Sequence, residues 1–181
     1  MPESSRHTPL TWLAHLEKLC LTHALGLPQQ EAADEEWIGI GFRIGDLNCV
    51  APLGEVAEIL TPPPLSKVPC TKPWVCGIAN VRGNLLPIMD LQGYLYDRTP
   101  ALNRRSRILV VNHNGMYSGL AVDAVLGLRH FTDEQRCGEL PGADKRLHKY
   151  MLYGFRDNDL HWGVFSMHGL AETPQFLQAA V

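Results

Sequence analysis

Ser166 and His168 stand two residues apart in GVFSMHG, a hydroxyl and an imidazole near enough to raise nucleophilic catalysis. A serine hydrolase needs its base bonded to the nucleophile and a third group holding the base. Residues i and i+2 of an extended chain point the same way, yet neighbours so placed rarely form that directed bond. The frame is also not G-x-S-x-G. A small β-barrel hydrolase using Ser166 and His168 therefore stands only as an alternative. His148, His161 and His168 are scattered, and Cys70 and Cys76 lack zinc-knuckle spacing. Asp90 and Asp123 could form a carboxylate pair, but each ends or interrupts an apolar strand pattern, where loop amides usually engage such groups. The G-x-G at 39–41 lies within a strand pattern and opens no helix. These residues assemble no catalytic set, no metal site and no cofactor site, so the chain reads as a non-enzyme.

The remaining candidate for chemistry is a charge on a hairpin. GIANVRGNLLPIMDL, 77–91, has strand period, a glycine turn and strand period again. The turn is read at Gly83-Asn84, with Arg82 beside it. Pro87 cannot donate to a ladder, which predicts an edge strand or a bulge. Upstream, Val56 to Leu60 reads as a strand with Val56 and Glu58 on its water-facing side and Ala57 and Ile59 on the other. Arginine and an apolar anchor are what interface centres favour. Two readings of Arg82 stay open on physics alone: an interface residue, or a structural salt bridge, for instance with Asp90 across the hairpin.

The elements that must position these residues are mostly strands. Residues 9–25 read as a helix, with Thr8 as cap, Pro9 in the first turn, and Trp12, Leu16, Leu19 and Cys20 on one face. That face is expected to pack on the rest of the chain, with docking to a partner as the alternative. A polar linker follows over 29–36. From Trp37 the period becomes two, with Ile38, Ile40, Phe42 and Ile44 on one side. Arg107 to Val111 is continuously apolar after its arginine, as a strand buried on both sides would be. Two segments echo earlier ones: 119–128 repeats 49–59, and 154–165 repeats 77–88. Many short strands in two echoing sets predict an all-β chain of two small barrels side by side.

Composition narrows the function classes. The chain has 181 residues, 45% hydrophobic and 19% charged, which predicts a folded chain. The net charge of −3 argues against a nucleic-acid partner, including a single-stranded RNA barrel, which needs a basic aromatic face. Arg104-Arg105-Ser106-Arg107 reads as a solvated loop. The 5 cysteines include no CxxC, so free buried thiols are expected rather than a disulfide framework. The first residues hold no apolar signal core, and no run approaches the ~20 apolar residues of a spanning helix. A cytoplasmic location without membrane insertion is expected.

VAPLGEVAEI, then a proline-bearing loop, then WVCGIANVRGNLLPIMDL together resemble the CheW-like domain of bacterial chemotaxis coupling proteins. RILVVNHNGMYSGLAVDAVLGL, KYMLYGF and LHWGVFSMHGL extend the resemblance over roughly 37–172. Within the family, the chain is most similar to the branch serving type IV pilus twitching motility, with flagellar chemotaxis as the alternative. The resemblance implies two five-stranded, SH3-like barrels over 37–181, preceded by a helical extension over 1–36. It implies a scaffold joining the regulatory domain of a CheA-type histidine kinase to the cytoplasmic tip of a methyl-accepting chemoreceptor, at membrane-associated arrays, and pairing with other CheW-like proteins. Carried over, Val56, Glu58 and Arg82 fall on the partner-facing surface, with Asn80, Val81 and Gly83 shaping the hairpin. Gly127 stands where the first lobe has Glu58.

Overall fold

The computed structural model describes residues 9–23, 36–99, 102–138 and 144–179. The chain divides into two units, Met1–Ala33 and Asp34–Val181. In the first, helix α1 spans Pro9–His23, and Trp12 packs edge-on to His15 one turn later. The expected cap, Thr8, lies outside the described residues. No helix among the described residues is long and apolar enough to cross a membrane.

The second unit is built from strands β1 (Trp37–Ile44), β2 (Leu47–Pro52), β3 (Glu58–Leu60), β4 (Val75–Val81), β5 (Asn84–Asp90), β6 (Arg107–His113), β7 (Met116–Val122), β8 (Ala124–Phe131), β9 (Arg136–Cys137), β10 (Met151–Asp157) and β11 (Leu160–Phe165). Four short helices complete it: α2 (Leu91–Tyr96), α3 (Lys145–His148), α4 (Met167–Ala171) and α5 (Pro174–Leu177). Sheet A runs β8-β1-β2-β11-β10-β9, and sheet B runs β3-β6-β7-β5-β4.

The two orders are the same order. Hairpin β1–β2 corresponds to β6–β7, β3 to β8, and β4–β5 to β10–β11. In each sheet the second strands of the two hairpins run parallel to each other: β5 with β7, β11 with β2. The two lobes are therefore five-stranded, as expected, with β9 added to sheet A. They are not successive halves of the chain. Strand β3 leaves its own hairpin to pair with β6, and β8 leaves its own to pair with β1. The halves are interleaved, which no local periodicity could reveal.

Three cores follow from strand alternation. Ile108 and Val110 face the core of sheet B with Ala79, Leu86 and Ile88. Leu109 and Val111 face the opposite way, into a core shared with Ile40, Phe42 and Ile44 of sheet A. Strand β6 is thus buried on both faces, as its unbroken apolar run predicts. The third core lies within sheet A and is aromatic: Phe131, Phe155 and Trp162 with Val50 and Val164. Phe131 and Phe155 stack at 4.4 Å. Gly41 makes room here, since a Cβ would approach the Trp162 ring to 3.2 Å.

Pro87 is not on an edge but lies next to a bulge, the register shift between Val75 and Gly77 opposite Met89 and Ile88. Strand β5 lies between β7 and β4. Opposite Pro87 is Ile78, whose N–H and C=O both turn away to bond Ser66 at 2.9 Å. The Ile78–Pro87 pair therefore exchanges no hydrogen bonds, and the nitrogen of Pro87 faces the β7 side. The ladder to β7 begins only at Ile88. The missing donor falls just before a donor is required.

Candidate partner-binding face

The hairpin turn is one residue earlier than expected. Val81 pairs with Asn84, so the turn is Arg82-Gly83. Both residues have positive φ, 52° and 86°, the conformation of a type I′ hairpin turn. A left-handed arginine is uncommon, and the chain holds it there locally: the Gly83 N–H donates to Asn80 Oδ1 at 2.9 Å. Val81 is buried in the sheet B core, so it anchors the turn from beneath. Asn80 and Gly83 are exposed.

The partner of Arg82 is Glu58, not Asp90. Arg82 Nη2 donates to Glu58 Oε1 at 2.5 Å. The arginine side chain is 77% exposed and the glutamate side chain 26%. Glu58 lies on β3 and Arg82 directly follows β4, the two edges of sheet B. In a flat sheet these edges would stand about 19 Å apart, four strand spacings of ~4.8 Å. The sheet must curl until its edges approach, and the ion pair spans that seam. In water such a pair contributes only about 0.2–1 kcal/mol.

Val56 is not on this surface. It is 9% exposed and belongs to the shared core. A short 3-10 turn over Leu53–Glu55 precedes it, and regular pairing starts only at Glu58. The alternation itself holds, but Val56 and Glu58 share the inner side rather than the water-facing one. Ala57 and Ile59, assigned inward from sequence, are the exposed residues. Leu85, three residues after Arg82, is 71% exposed and was missed. Its sequence signal was present: in NLLPI, only one of the adjacent leucines can face the core.

The other candidates resolve into structure. Ser166 caps α4, its Oγ accepting from the Gly169 N–H at 2.9 Å. The ring of His168 stacks on His113 at 3.8 Å, and its Nδ1 lies 3.9 Å from Glu55. Serine and histidine are thus committed to different neighbours. Asp90 caps α2, accepting from the Gln92 N–H at 3.2 Å. Burial raises its pKa, and the charge of Asp123 adds to that, against hydrogen bonds from Gln92 and Gly93. Asp123 accepts the Gly45 N–H at 2.5 Å, tying the β1–β2 turn to the later half of the chain. His148 is exposed and His161 lies opposite Arg156 on β10–β11. All five cysteines are free, but Cys20 and Cys70 are exposed rather than buried. Burial pushes the Cys49 and Cys76 thiols up to about 12, which keeps them protonated.

The structure thus brings Arg82 of the hairpin turn and Glu58 of an edge strand together at the surface of one five-stranded lobe. Residues 39–170 match the family model described as CheW-like domain. The chain belongs to the CheW-like family. Members of this family are non-catalytic scaffolds. The chain is 42% identical over 178 residues to Protein PilI of Pseudomonas aeruginosa, covering 98% of this chain and 99% of that one. It is 35% identical to the chemotaxis protein CheW of Helicobacter pylori, over 52% of this chain and 58% of that one. Among solved structures, the scaffolding protein TtCheW of Thermoanaerobacter tengcongensis superposes with a TM-score of 0.65 at 22% identity, over 76% of this chain and 93% of that one. That last likeness concerns the fold alone.

Proposed function

We propose that this CheW-like scaffold couples a CheA-type histidine kinase to methyl-accepting chemoreceptors in a pathway that governs type IV pili. The observation that carries the pilus reading is the extent of similarity. The likeness to Protein PilI runs through the N-terminal extension, which the family match at 39–170 does not include. The likeness to the Helicobacter pylori CheW covers about half of the chain. On this reading residues 1–36 are an extension proper to the pilus branch and 37–181 form the coupling domain, in the cytoplasm at receptor arrays.

The partner-binding face is centred on Arg82, Glu58, Asn80 and Gly83, with Val81 and Val56 holding it from within. An exposed arginine whose pairing among the described residues is a weak one at a lobe edge supports this assignment. Binding kinase domain and receptor tip to one scaffold makes their encounter effectively intramolecular. A receptor signal then reaches the kinase if two states of the assembly hold it differently. Other CheW-like chains are partners of the same kind.

Titration calorimetry against the kinase regulatory domain, with and without a receptor-tip fragment, tests the reading. Saturable binding in both formats is expected. Absence of binding in both would remove the coupling function and leave the fold untouched. Use of a flagellar kinase's domain in parallel separates the two pathways, with tighter binding expected for the pilus kinase.

A further inference from the structure

A cavity of about 420 Å³ opens on the second unit. Its walls come from the loop before β4, from α2, from the α3 segment and from α5. Such a volume suits a small organic ligand rather than a bare ion. Three cations line it: Lys72, Arg146 and Lys149. The one carboxylate in its lining, Asp97, is already held by Arg146 Nη1 at 2.5 Å. Among the described residues, neither lysine has a carboxylate within salt-bridge distance.

The uncharged groups show the same imbalance. The Trp74 indole N–H is buried without a hydrogen-bond partner. An unmet buried donor costs about 1–3 kcal/mol, so such groups call for an explanation. The hydroxyls of Tyr94 and Tyr150 share one hydrogen bond of 2.9 Å. That bond uses one of their two protons and leaves the other for an acceptor. Tyr150 is itself 5% exposed, so water reaches it poorly. Burial and the Tyr150 contact raise the Tyr94 pKa, so this phenol remains a donor. The cavity is rich in donors and cations and its floor is aromatic, with Trp74 set edge-on to Tyr94 at 5.3 Å.

We infer that this cavity binds a small aromatic anion, a planar ring carrying a phosphate or carboxylate. The ring packs against Trp74 and Tyr94. The anionic group takes Lys149, Lys72 and the free tyrosine proton. Because α5 and the loop leading into β4 both line the cavity, and the Lys72 N–H donates to the Ala179 carbonyl at 2.8 Å, a ligand there would tie the end of the fold to the start of β4.

Calorimetry of the full chain with phenyl phosphate tests this, with phenol and inorganic phosphate as half-ligands. Saturable binding is expected for phenyl phosphate, with each half-ligand weaker by about tenfold or more. Lys149→Glu should weaken binding by about tenfold, Tyr150→Phe by a few-fold, and Arg105→Glu, an exposed charge outside the lining, should leave it unchanged. Lys149 is exposed, so its variant keeps the fold. No binding of phenyl phosphate at millimolar concentration overturns the inference. So does an equal loss in Arg105→Glu, which would mean diffuse charge attraction. Inorganic phosphate binding as tightly as phenyl phosphate overturns the aromatic half. If phenyl phosphate fails to bind while Lys149→Glu weakens the kinase domain, the cavity is a protein-docking surface and the inference is wrong.

Discussion

Sheets A and B have the same strand order, yet they are finished differently. Sheet B encloses small aliphatic side chains and carries a charged seam, Arg82 on Glu58. Sheet A encloses Phe131, Phe155 and Trp162, and its edge strand β8 pairs His130 with Glu36 at 3.2 Å rather than with a residue of its hairpin turn. The register shows why. Glu58 lies opposite Val110 and Gly127 lies opposite Gly41, and these partners are equivalent counted back from their hairpin turns. Gly127 thus holds the Glu58 position of sheet A. It has φ of 86° beside a bulge between Gly41 and Phe42, a conformation a glutamate adopts only under strain. At the position of Arg82 stands Asn158. Repetition of an architecture does not repeat a charged seam. One copy spends its edge on charge and the other on a glycine bulge.

The cores offer the largest test of this contrast. Trp162 is 2% exposed in the aromatic core, and Trp162→Ala should cost about 3–5 kcal/mol by denaturant unfolding. Val110→Ala in the aliphatic core should cost less, because fewer buried atoms are removed. Equal losses would mean that the two cores are mechanically alike. A smaller effect is expected for Gly127→Glu, which builds the missing carboxylate into sheet A at a cost of about 1–3 kcal/mol of backbone strain. An unchanged melting temperature would show that the bulge tolerates the side chain and that its glycine explains nothing.

The strand-to-helix corners sharpen the contrast through pH. Asp90 ends β5 and caps α2, whereas Ser166 ends β11 and caps α4. Only the first can titrate. Its folded pKa is raised above the ordinary 3.8 by burial, so the folded state binds the proton more tightly than the unfolded chain. The group therefore lowers stability as pH rises from about 4 through its folded value, and the deficit is constant above that. Asparagine caps equally well. The stability difference between Asp90→Asn and wild type should grow with pH across that window and then level off. Ser166→Asn should show no pH-dependent difference. The smallest effect is expected for Arg82→Ala, within about 0.2–1 kcal/mol of wild type in a thermal melt. A larger loss would make the seam a structural strut.

Much of the fold was legible because the signals were local. The double burial of β6 is written in RILVV, and the β4–β5 and β10–β11 hairpins are marked by turn residues at their tips. The errors are also local in origin. Arg82 entered the turn because Asn80 caps Gly83, so the turn took the less usual residue and left Asn84 in β5. Val56 was misassigned because Glu58 was taken to mark the water-facing side, whereas Glu58 is only partly exposed beside Arg82 and shares the inner side with Val56. Pro87 has its bulge beside it but not its edge: it stays inside the sheet through a tertiary partner, Ser66, which takes the hydrogen bonds of Ile78. The exchange of β3 and β8 between lobes and the approach of Glu58 to Arg82 are long-range facts, and periodicity carries no trace of them.

The decisive measurement sets the two matched turn positions against each other. Arg82 and Asn158 both hold a left-handed conformation, with φ of 52° and 54°, which aspartate tolerates. Arg82→Asp and Asn158→Asp would each be titrated against the kinase regulatory domain, with melts run alongside. The expected result is a loss of about tenfold or more in affinity for Arg82→Asp, no change for Asn158→Asp, and matching melts for both. Unchanged affinity in Arg82→Asp, or equal losses in the two variants, would contradict the claim that sheet B alone presents the partner-binding face.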